Sequence, residues 1–243
     1  MKTAVKQLLH QSGMYGTASR RWIWLSPRLT AAIRLLTRRN GRIASRYLRQ
    51  EAVPRLHIGC GDNALRGWLN TDLNPGRDQI YLDATRPFPF ADGVFAYIYS
   101  EHMIEHVSWS AGRAMLAECH RVLKPGGVIR LVTPDLRRLM HLLTGPLSDL
   151  EEAYLDYSIT AYGLPSDRHR AVHVVNNFMR AWGHQHIYDE ASLREQLAAA
   201  GFRDVVPAEL DASAHGPLNG LAKHDRMPAG LLALESLVLE ATK

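Results

Sequence analysis

Short apolar runs alternate with helical stretches from Pro54 onward, and this alternation constrains the fold more than any other feature. The runs that fit buried strands are 55–58, 68–73, 79–82, 94–99, 128–132 and 202–206. A seventh run, 236–241, fits a final strand or a helix, whereas 111–123 and 191–200 fit helices. This order predicts a doubly wound α/β fold on a mostly parallel, seven-stranded sheet. Such sheets bind ligands at the carboxyl ends of their strands.

Basic residues are concentrated at the start of the chain. Residues 1–55 hold 12 of the 29 Lys and Arg residues but only one of the 24 acidic residues, Glu51. We therefore predict a basic helical N-terminal extension over 1–53 and a main domain over 54–243, with a mostly helical insertion at about 135–183. We expect the extension to form one or two amphipathic helices, with a break near Asn40-Gly41.

Three roles fit the arginines of this extension. They could form the solvated face of a helix packed on the main domain, a peripheral membrane or acidic-partner contact through residues 1–50, or a nucleic-acid arm. No RNA-binding signature accompanies them, so nucleic acid is the least expected partner.

Composition excludes several classes of protein. No window of about eighteen apolar residues occurs, which excludes a membrane-spanning helix. The first residues lack the apolar core and cleavage site of a signal peptide. The two cysteines, Cys60 and Cys119, cannot build a disulfide scaffold or a four-cysteine zinc site. We expect a cytoplasmic location, with the inner face of the membrane as an option for the basic extension.

Three successive predicted strands end in residues suited to a nucleoside ligand. The first runs into Gly59-Cys60-Gly61, where the absence of Cβ atoms lets a ligand approach the backbone closely. The next two end near Asp72 and Asp83, and a carboxylate at the second strand tip is placed to accept both ribose hydroxyls. The alternative is that both aspartates are ordinary turn residues.

Three segments together resemble class I S-adenosylmethionine-dependent methyltransferases, which have a Rossmann-like fold. They are RLHIGCGDNALRGWLNTDL, YLDATRPFPFADGVFAYIYSEHMIEHV and MLAECHRVLKPGGVIRLVTPDL. The likeness spans about 54–208 and 236–241, and it is greatest to a bacterial branch associated with surface-glycan biosynthesis.

The resemblance implies S-adenosylmethionine as the cofactor and assigns the residues that bind it. The Gly59-Cys60-Gly61 loop would lie against its methionine portion, Asp72 would hold the ribose, Asp83 and Ala84 the adenine, and Ser100 would lie near the sulfonium. Two features depart from the family pattern. His57 stands where many relatives have an acidic residue, and the short link between the first two strands leaves no room for the usual long first helix.

Histidines are the candidates for the acceptor side, because an imidazole titrates near neutral pH. His102 and His106 follow the fourth predicted strand and would share a face if they lay on one helix. His184 belongs to a later histidine-containing stretch, GHQH. These three are the candidate catalytic residues. A metal site of His102, His106 and a carboxylate such as Asp135 is an alternative that we do not expect, since histidines spaced four apart are common in helices.

The expected function is methyl transfer from S-adenosylmethionine to a hydroxyl of a sugar, glycolipid or other small molecule. The glycan acceptor follows from the resemblance alone. Two alternatives remain: a non-catalytic scaffold in a membrane-associated complex, and an RNA methyltransferase anchored by the arginine-rich arm. The sequence does not predict an oligomeric state.

Overall fold

The computed structural model describes Arg34 and residues 37–243. The strands are β1 (Arg55–Ile58), β2 (Leu69–Asp72), β3 (Ile80–Tyr81), β4 (Phe95–Glu101), β5 (Leu123–Pro134), β6 (Arg203–Pro207) and β7 (Ser236–Thr242). The α-helices are α1 (Arg39–Gln50), α2 (Trp109–Val122), α3 (Leu136–Thr144), α4 (Asp149–Tyr162), α5 (Arg170–Arg180), α6 (Glu190–Ala199) and α7 (Leu231–Glu235). Within these residues, no helix has the length and apolar character needed to cross a bilayer.

The strands form one sheet in the order β3-β2-β1-β4-β5-β7-β6. Strands β1 to β5 are parallel, and β7 runs antiparallel between β5 and β6. This confirms the predicted doubly wound, mostly parallel seven-stranded fold of class I methyltransferases. Helices α3, α4 and α5 form the predicted helical insertion after β5.

One local prediction needs correction. The chain does not break at Asn40-Gly41, because both residues lie inside α1; the turn comes before the helix, at Arg38, which has a left-handed φ of 50°. The predicted final strand at 236–241 is confirmed as β7, and the short helix α7 comes directly before it. The part of the predicted extension before Arg34 lies outside the described residues.

The first helix is docked on the edge of the sheet. The Asn40 side chain accepts a hydrogen bond from the Tyr81 amide (3.1 Å) and donates one to the Tyr81 carbonyl (2.8 Å), so it occupies the free edge of β3. The Tyr47 hydroxyl donates to the Arg55 carbonyl (3.0 Å). The buried Arg34 guanidinium donates to the carbonyl oxygens of Pro75, Gly76 and Gln79. The apolar side of α1 therefore packs on the domain, and its arginines face solvent.

The sheet is covered differently on its two faces. One face packs against α2 and α6 and includes Leu56, Ile98, Met115 and Leu197. The other face packs largely against irregular chain from the segment 208–227. A third apolar cluster joins the insertion helices to α7.

A buried ion pair fixes the start of that irregular segment. Arg130 of β5 is fully buried and donates to the Glu240 carboxylate of β7 at 2.5 Å. The same guanidinium donates to the carbonyl oxygens of Glu209, Leu210 and Ala212. A charge buried in this way is tolerated only when it is paired and hydrogen-bonded.

We expect Glu240→Ala to lower the free energy of unfolding by about 3–5 kcal/mol, because it leaves the Arg130 guanidinium buried without its counter-charge. Urea unfolding followed by circular dichroism measures this loss. The double variant Arg130→Met/Glu240→Ala should recover part of it, because the unpaired charge is then gone. Glu195→Ala, on an exposed part of α6, is the control. A loss no larger than the control's would mean that the pair does not anchor the segment.

Candidate active site

The candidate site lies at the carboxyl ends of β1 and β4, where the strand order reverses direction. From β1 the chain continues outward on one side to β2 and β3, and then returns to β4 on the other side of β1. Ligands of doubly wound sheets bind at this switch point. All of the sequence-predicted cofactor residues except Asp83 and Ala84 lie at the ends of β1, β2 or β4.

The two glycines of the loop after β1 differ in the space beside them: it is free at Gly61 and is occupied by the Met103 side chain at Gly59. Gly59 and Gly61 both have left-handed backbones, with φ of 69° and 52°. A Cβ on Gly61 would meet no described atom within 4 Å, whereas a Cβ on Gly59 would lie 2.3 Å from Cγ of Met103. The close backbone approach that a ligand needs is therefore available at Gly61, and Gly59 makes room for Met103.

Asp72 is joined directly to this loop. Its carboxylate accepts hydrogen bonds from the Gly61 amide (2.9 Å) and the Asn74 amide (2.8 Å). A carboxylate has lone pairs for about four hydrogen bonds, so two such bonds leave capacity for ribose hydroxyls. The structure thus brings the glycine loop of β1 and the acid of β2 together.

Asp83 forms the local turn that the alternative interpretation anticipates. One of its oxygens accepts from the amide and the hydroxyl of Thr85 (3.0 and 2.6 Å), and the other lies 3.7 Å from Arg86. The neighbouring Ala84 is buried. The adenine contact assigned to this pair stays a prediction.

Ser100 and Glu101 end β4 beside the glycine loop. Ser100 is buried, and its hydroxyl has no hydrogen-bond partner among the described residues, so a polar ligand atom would find a free group there. Glu101 is also buried and accepts hydrogen bonds from the Asn63 side chain (3.3 Å) and the Lys223 amide (3.1 Å). Glu101 opens the candidate segment 101–106 after the fourth predicted strand, but its contacts beside the glycine loop could not be predicted from the sequence.

Lys223 lies against the glycine loop after β1 and contacts Asp62 and Glu101. Its ammonium donates to the Asp62 carboxylate at 2.5 Å, and the carbonyl of Leu221 accepts from Asn63 (3.3 Å). These contacts join positions about 160 residues apart in the chain. No local sequence pattern could have indicated them.

His57 is a buried neutral residue under the loop. Its Nδ1 donates to Oδ1 of Asn70 (3.1 Å), and its ring packs against Tyr99. Burial lowers the pKa of His57 to about 4, and the interactions with Asn70 and Asp72 offset only part of this effect. The imidazole is therefore uncharged at neutral pH.

His102 lies in a buried charged cluster just beyond β4. It has a left-handed backbone (φ 47°), which is uncommon for a residue with a side chain and is often found at functional sites. Its Nδ1 is 3.2 Å from Glu105 and its Nε2 is 3.9 Å from Glu235, which in turn accepts from the Tyr154 hydroxyl (2.7 Å). Burial alone would lower the pKa of His102, but Glu105 and Glu235 outweigh it and raise that pKa.

His106 and His184 lie together on the other side of Glu105. The carboxylate of Glu105 is 4.0 Å from Nε2 of His106, and the His106 and His184 rings are 4.8 Å apart. The helix that would place His102 and His106 on one face is not formed, because the chain makes only a 3-10 turn at Ile104–His106. The three predicted histidines nevertheless surround one carboxylate, Glu105. Asp135 is not part of this group: it caps α3 by accepting from the Arg137 amide (2.9 Å).

Residues 56–131 match a family model described as a methyltransferase domain. The match begins in β1 and ends in β5, so it includes the glycine loop, Asp72 and the tip of β4. The chain has the fold and part of the domain sequence of a class I methyltransferase. No curated protein matches it.

Several solved structures are similar to this chain in fold. A SAM-dependent methyltransferase from Archaeoglobus fulgidus is 17% identical, covers 86% of this chain and 94% of its own, and has a TM-score of 0.45. One from Thermotoga maritima is 15% identical over 97% of this chain and 99% of its own, with a TM-score of 0.43. One from Mesorhizobium loti is 16% identical over 81% and 95%, also with a TM-score of 0.43. These likenesses carry no argument about the substrate.

The buried His57 predicts an acid-dependent loss of stability. Its pKa is about 4 in the folded chain and near 6.5 when unfolded, so between these values the unfolded chain binds the extra proton. The stabilising contribution is complete above pH 6.5 and falls by up to about 1.4 kcal/mol per pH unit as the pH drops towards 4.

We expect His57→Gln to remove this component, so that stability declines less steeply between pH 6.5 and 4.5. Urea unfolding at pH 7.5, 6.0 and 5.0 measures the slope, with His169→Gln as an exposed histidine control. Equal slopes in the wild type and the His57 variant would contradict the assignment of a buried neutral imidazole.

Proposed function

We propose that this chain is a methyltransferase that uses S-adenosylmethionine. The observation that carries the proposal is the hydrogen bond between the Asp72 carboxylate and the Gly61 amide at the switch point of the sheet. The hydrogen bond supports the proposal because it brings a carboxylate at a strand tip next to backbone that has no side chain over it. The matched methyltransferase segment supports the same conclusion.

The residues present fit this cofactor. Asp72 would hold the ribose hydroxyls, Gly61 would give the cofactor access to the backbone, and the free hydroxyl of Ser100 would face the reacting end. S-adenosylmethionine, when bound, would supply a methyl group on a positively charged sulfur. S-adenosylhomocysteine would be the leaving group, and the proton of the acceptor hydroxyl would pass to a base. The protein's contribution is to position the acceptor and exclude water.

We further propose a sugar, glycolipid or other small-molecule hydroxyl as the acceptor. Trp182 and Tyr162 support this, because both rings are partly exposed and lie 4.9 Å apart next to His184. Aromatic faces of this kind suit the apolar face of a sugar ring. His102, His106 and His184 stay the predicted acceptor-side residues.

Cofactor binding provides the first test. We expect calorimetric titration to detect binding of S-adenosylmethionine and S-adenosylhomocysteine to the wild type, and Asp72→Ala to weaken both at least about tenfold by removing the ribose contacts. Asp78→Ala, an exposed acid in the following loop, should bind as the wild type does.

Asp72 also accepts two backbone amides, so the fold of each variant must be checked by circular dichroism, and Asp72→Asn provides a variant of the same shape. A folded wild type that binds neither compound would overturn the proposal and favour a non-catalytic scaffold. Binding that Asp72→Ala and Asp72→Asn both retain would remove Asp72 from the site.

For the arginines of α1 we propose an anionic membrane surface as the partner. Arg42, Arg46 and Arg49 follow one another at helical spacing on α1 and are exposed, and no ion pair among the described residues involves them. The one aromatic residue of α1, Tyr47, is held by its bonds to Arg55 and Gly67, so it is not free to stack on RNA bases.

We expect full-length protein to float with vesicles that contain phosphatidylserine, and less so at high salt. Replacing Arg42, Arg46 and Arg49 by alanine should weaken vesicle binding about a hundredfold, at about 1 kcal/mol per arginine. The control replaces three exposed arginines elsewhere, Arg113, Arg180 and Arg203, and changes the net charge equally. Equal loss in both triple variants would exclude a specific role for α1. Binding of single-stranded RNA, but not vesicles, through the α1 arginines would favour the RNA alternative.

A further inference from the structure

Hydrogen bonds join the turn at 104–106 to the segment 184–186 next to the candidate active site. The amides of Gln185 and His186 both donate to the Glu105 carbonyl, at 2.8 and 3.2 Å. The Gln185 side chain donates to the His106 carbonyl at 2.7 Å. These bonds hold His184 beside the turn that carries Glu105 and His106. The arrangement is thus fixed by backbone contacts as well as by side-chain packing.

This junction gathers three side chains that can coordinate a metal ion. The nearest donor atoms of Glu105, His106 and His184 all lie within 4.8 Å of one another, and no other such group of three occurs among the described residues. Two imidazoles and a carboxylate are a donor set typical of Zn²⁺ and of other first-row transition metals, rather than of Mg²⁺ or Ca²⁺.

The donor atoms are available for coordination. Nδ1 of His184 donates to the Phe178 carbonyl at 2.7 Å, so its proton is on Nδ1 and the lone pair on Nε2 is free. A hydrogen bond of this kind is the usual support of a metal-bound histidine. The Glu105 side chain is fully buried, and Thr133 donates to its Oε2 at 3.1 Å. Its Oε1 has no hydrogen-bond partner within the described chain, although His102 approaches it to 3.2 Å.

We propose that Glu105, His106 and His184 bind one divalent transition-metal ion of the Zn²⁺ class. Metal–ligand distances of about 2.0–2.1 Å set tetrahedral donors about 3.3–3.4 Å apart, so the present separations of up to 4.8 Å must shorten by at most about 1.5 Å. His106 can make this movement, because its side chain is 35% exposed.

The proposal is independent of cofactor binding, which is assigned to Asp72 and the glycine loop, although His106 and His184 are also predicted acceptor-side residues. It differs from the metal site considered from sequence, which used His102 and Asp135. His102 would instead border the site through its contact with Glu105. If His102 alone is the partner of that carboxylate, the protein should bind no ion there.

The test uses tag-free, full-length protein stripped of metal with a chelator. We expect one equivalent of Zn²⁺ to bind in competition with a chromophoric chelator, and Co²⁺ to give a visible absorption band that Zn²⁺ abolishes. His106→Asn and His184→Asn should each weaken Zn²⁺ binding at least about tenfold and should reduce the Co²⁺ band. His186→Asn is the matched control, because its ring packs on Trp109 and Tyr188 near the site but is not among the donors.

Glu105→Gln tests the third donor, but it alters a buried charge and can fail to fold. The two histidine variants therefore decide the outcome, since both residues are partly exposed. No stoichiometric binding by the folded wild type, or equal binding by wild type, His106→Asn and His184→Asn, would overturn the metal site. A parallel titration with S-adenosylhomocysteine, with and without chelator, shows whether the cofactor site survives that failure.

Discussion

The arrangement of the predicted acceptor-side histidines depends on the contacts made by one buried residue, Glu105. A charge buried completely in a protein is costly unless it is paired or hydrogen-bonded. Here the Thr133 hydroxyl of β5 donates a hydrogen bond to the Glu105 carboxylate, and His102 lies next to it. The amides of Gln185 and His186 donate to the backbone carbonyl of Glu105. One residue thereby connects the sheet, the turn after β4 and the chain returning from the insertion. The spatial relation of the predicted histidines follows from this connection.

The contact between Asp72 and Gly61 on the cofactor side differs from the contacts around Glu105 in how far apart in the chain the joined residues are. The hydrogen bond between Gly61, in the loop after β1, and Asp72, at the end of β2, is local in the sheet, because it needs only the correct register between these strands. Lys223 adds a long-range contact to the same loop through Asp62. The acceptor side joins segments that lie about 80 residues apart. A variant that disturbs the insertion should therefore affect the histidines and leave the cofactor loop intact.

This difference explains what could be predicted from the sequence. The seven strands and their order along the chain were predicted correctly, because alternating hydrophobicity and glycine loops are local signals, although β5 begins at Leu123 and Asp83 lies beyond the end of β3. The left-handed backbone of His102 and the position of Glu105 among the three histidines could not be predicted from the sequence, because tertiary contacts determine both. The predicted break at Asn40-Gly41 was wrong for a related reason. Asn and Gly are poor helix formers, but the Asn40 side chain satisfies both backbone groups of Tyr81, and this contact outweighs propensity.

The short link between β1 and β2 also accounts for the irregular segment 208–227. The sequence leaves no room for a long helix in this link, so a helix that would cover one face of the sheet is missing there. Trp68, Leu210 and Leu218 fill that face instead, and Arg130 holds the start of the segment through three carbonyl oxygens. The same segment then reaches the glycine loop through Lys223. Residues far along the chain thus replace the shielding that the first crossover cannot supply, and the cofactor loop depends on the buried Arg130–Glu240 pair for its cover.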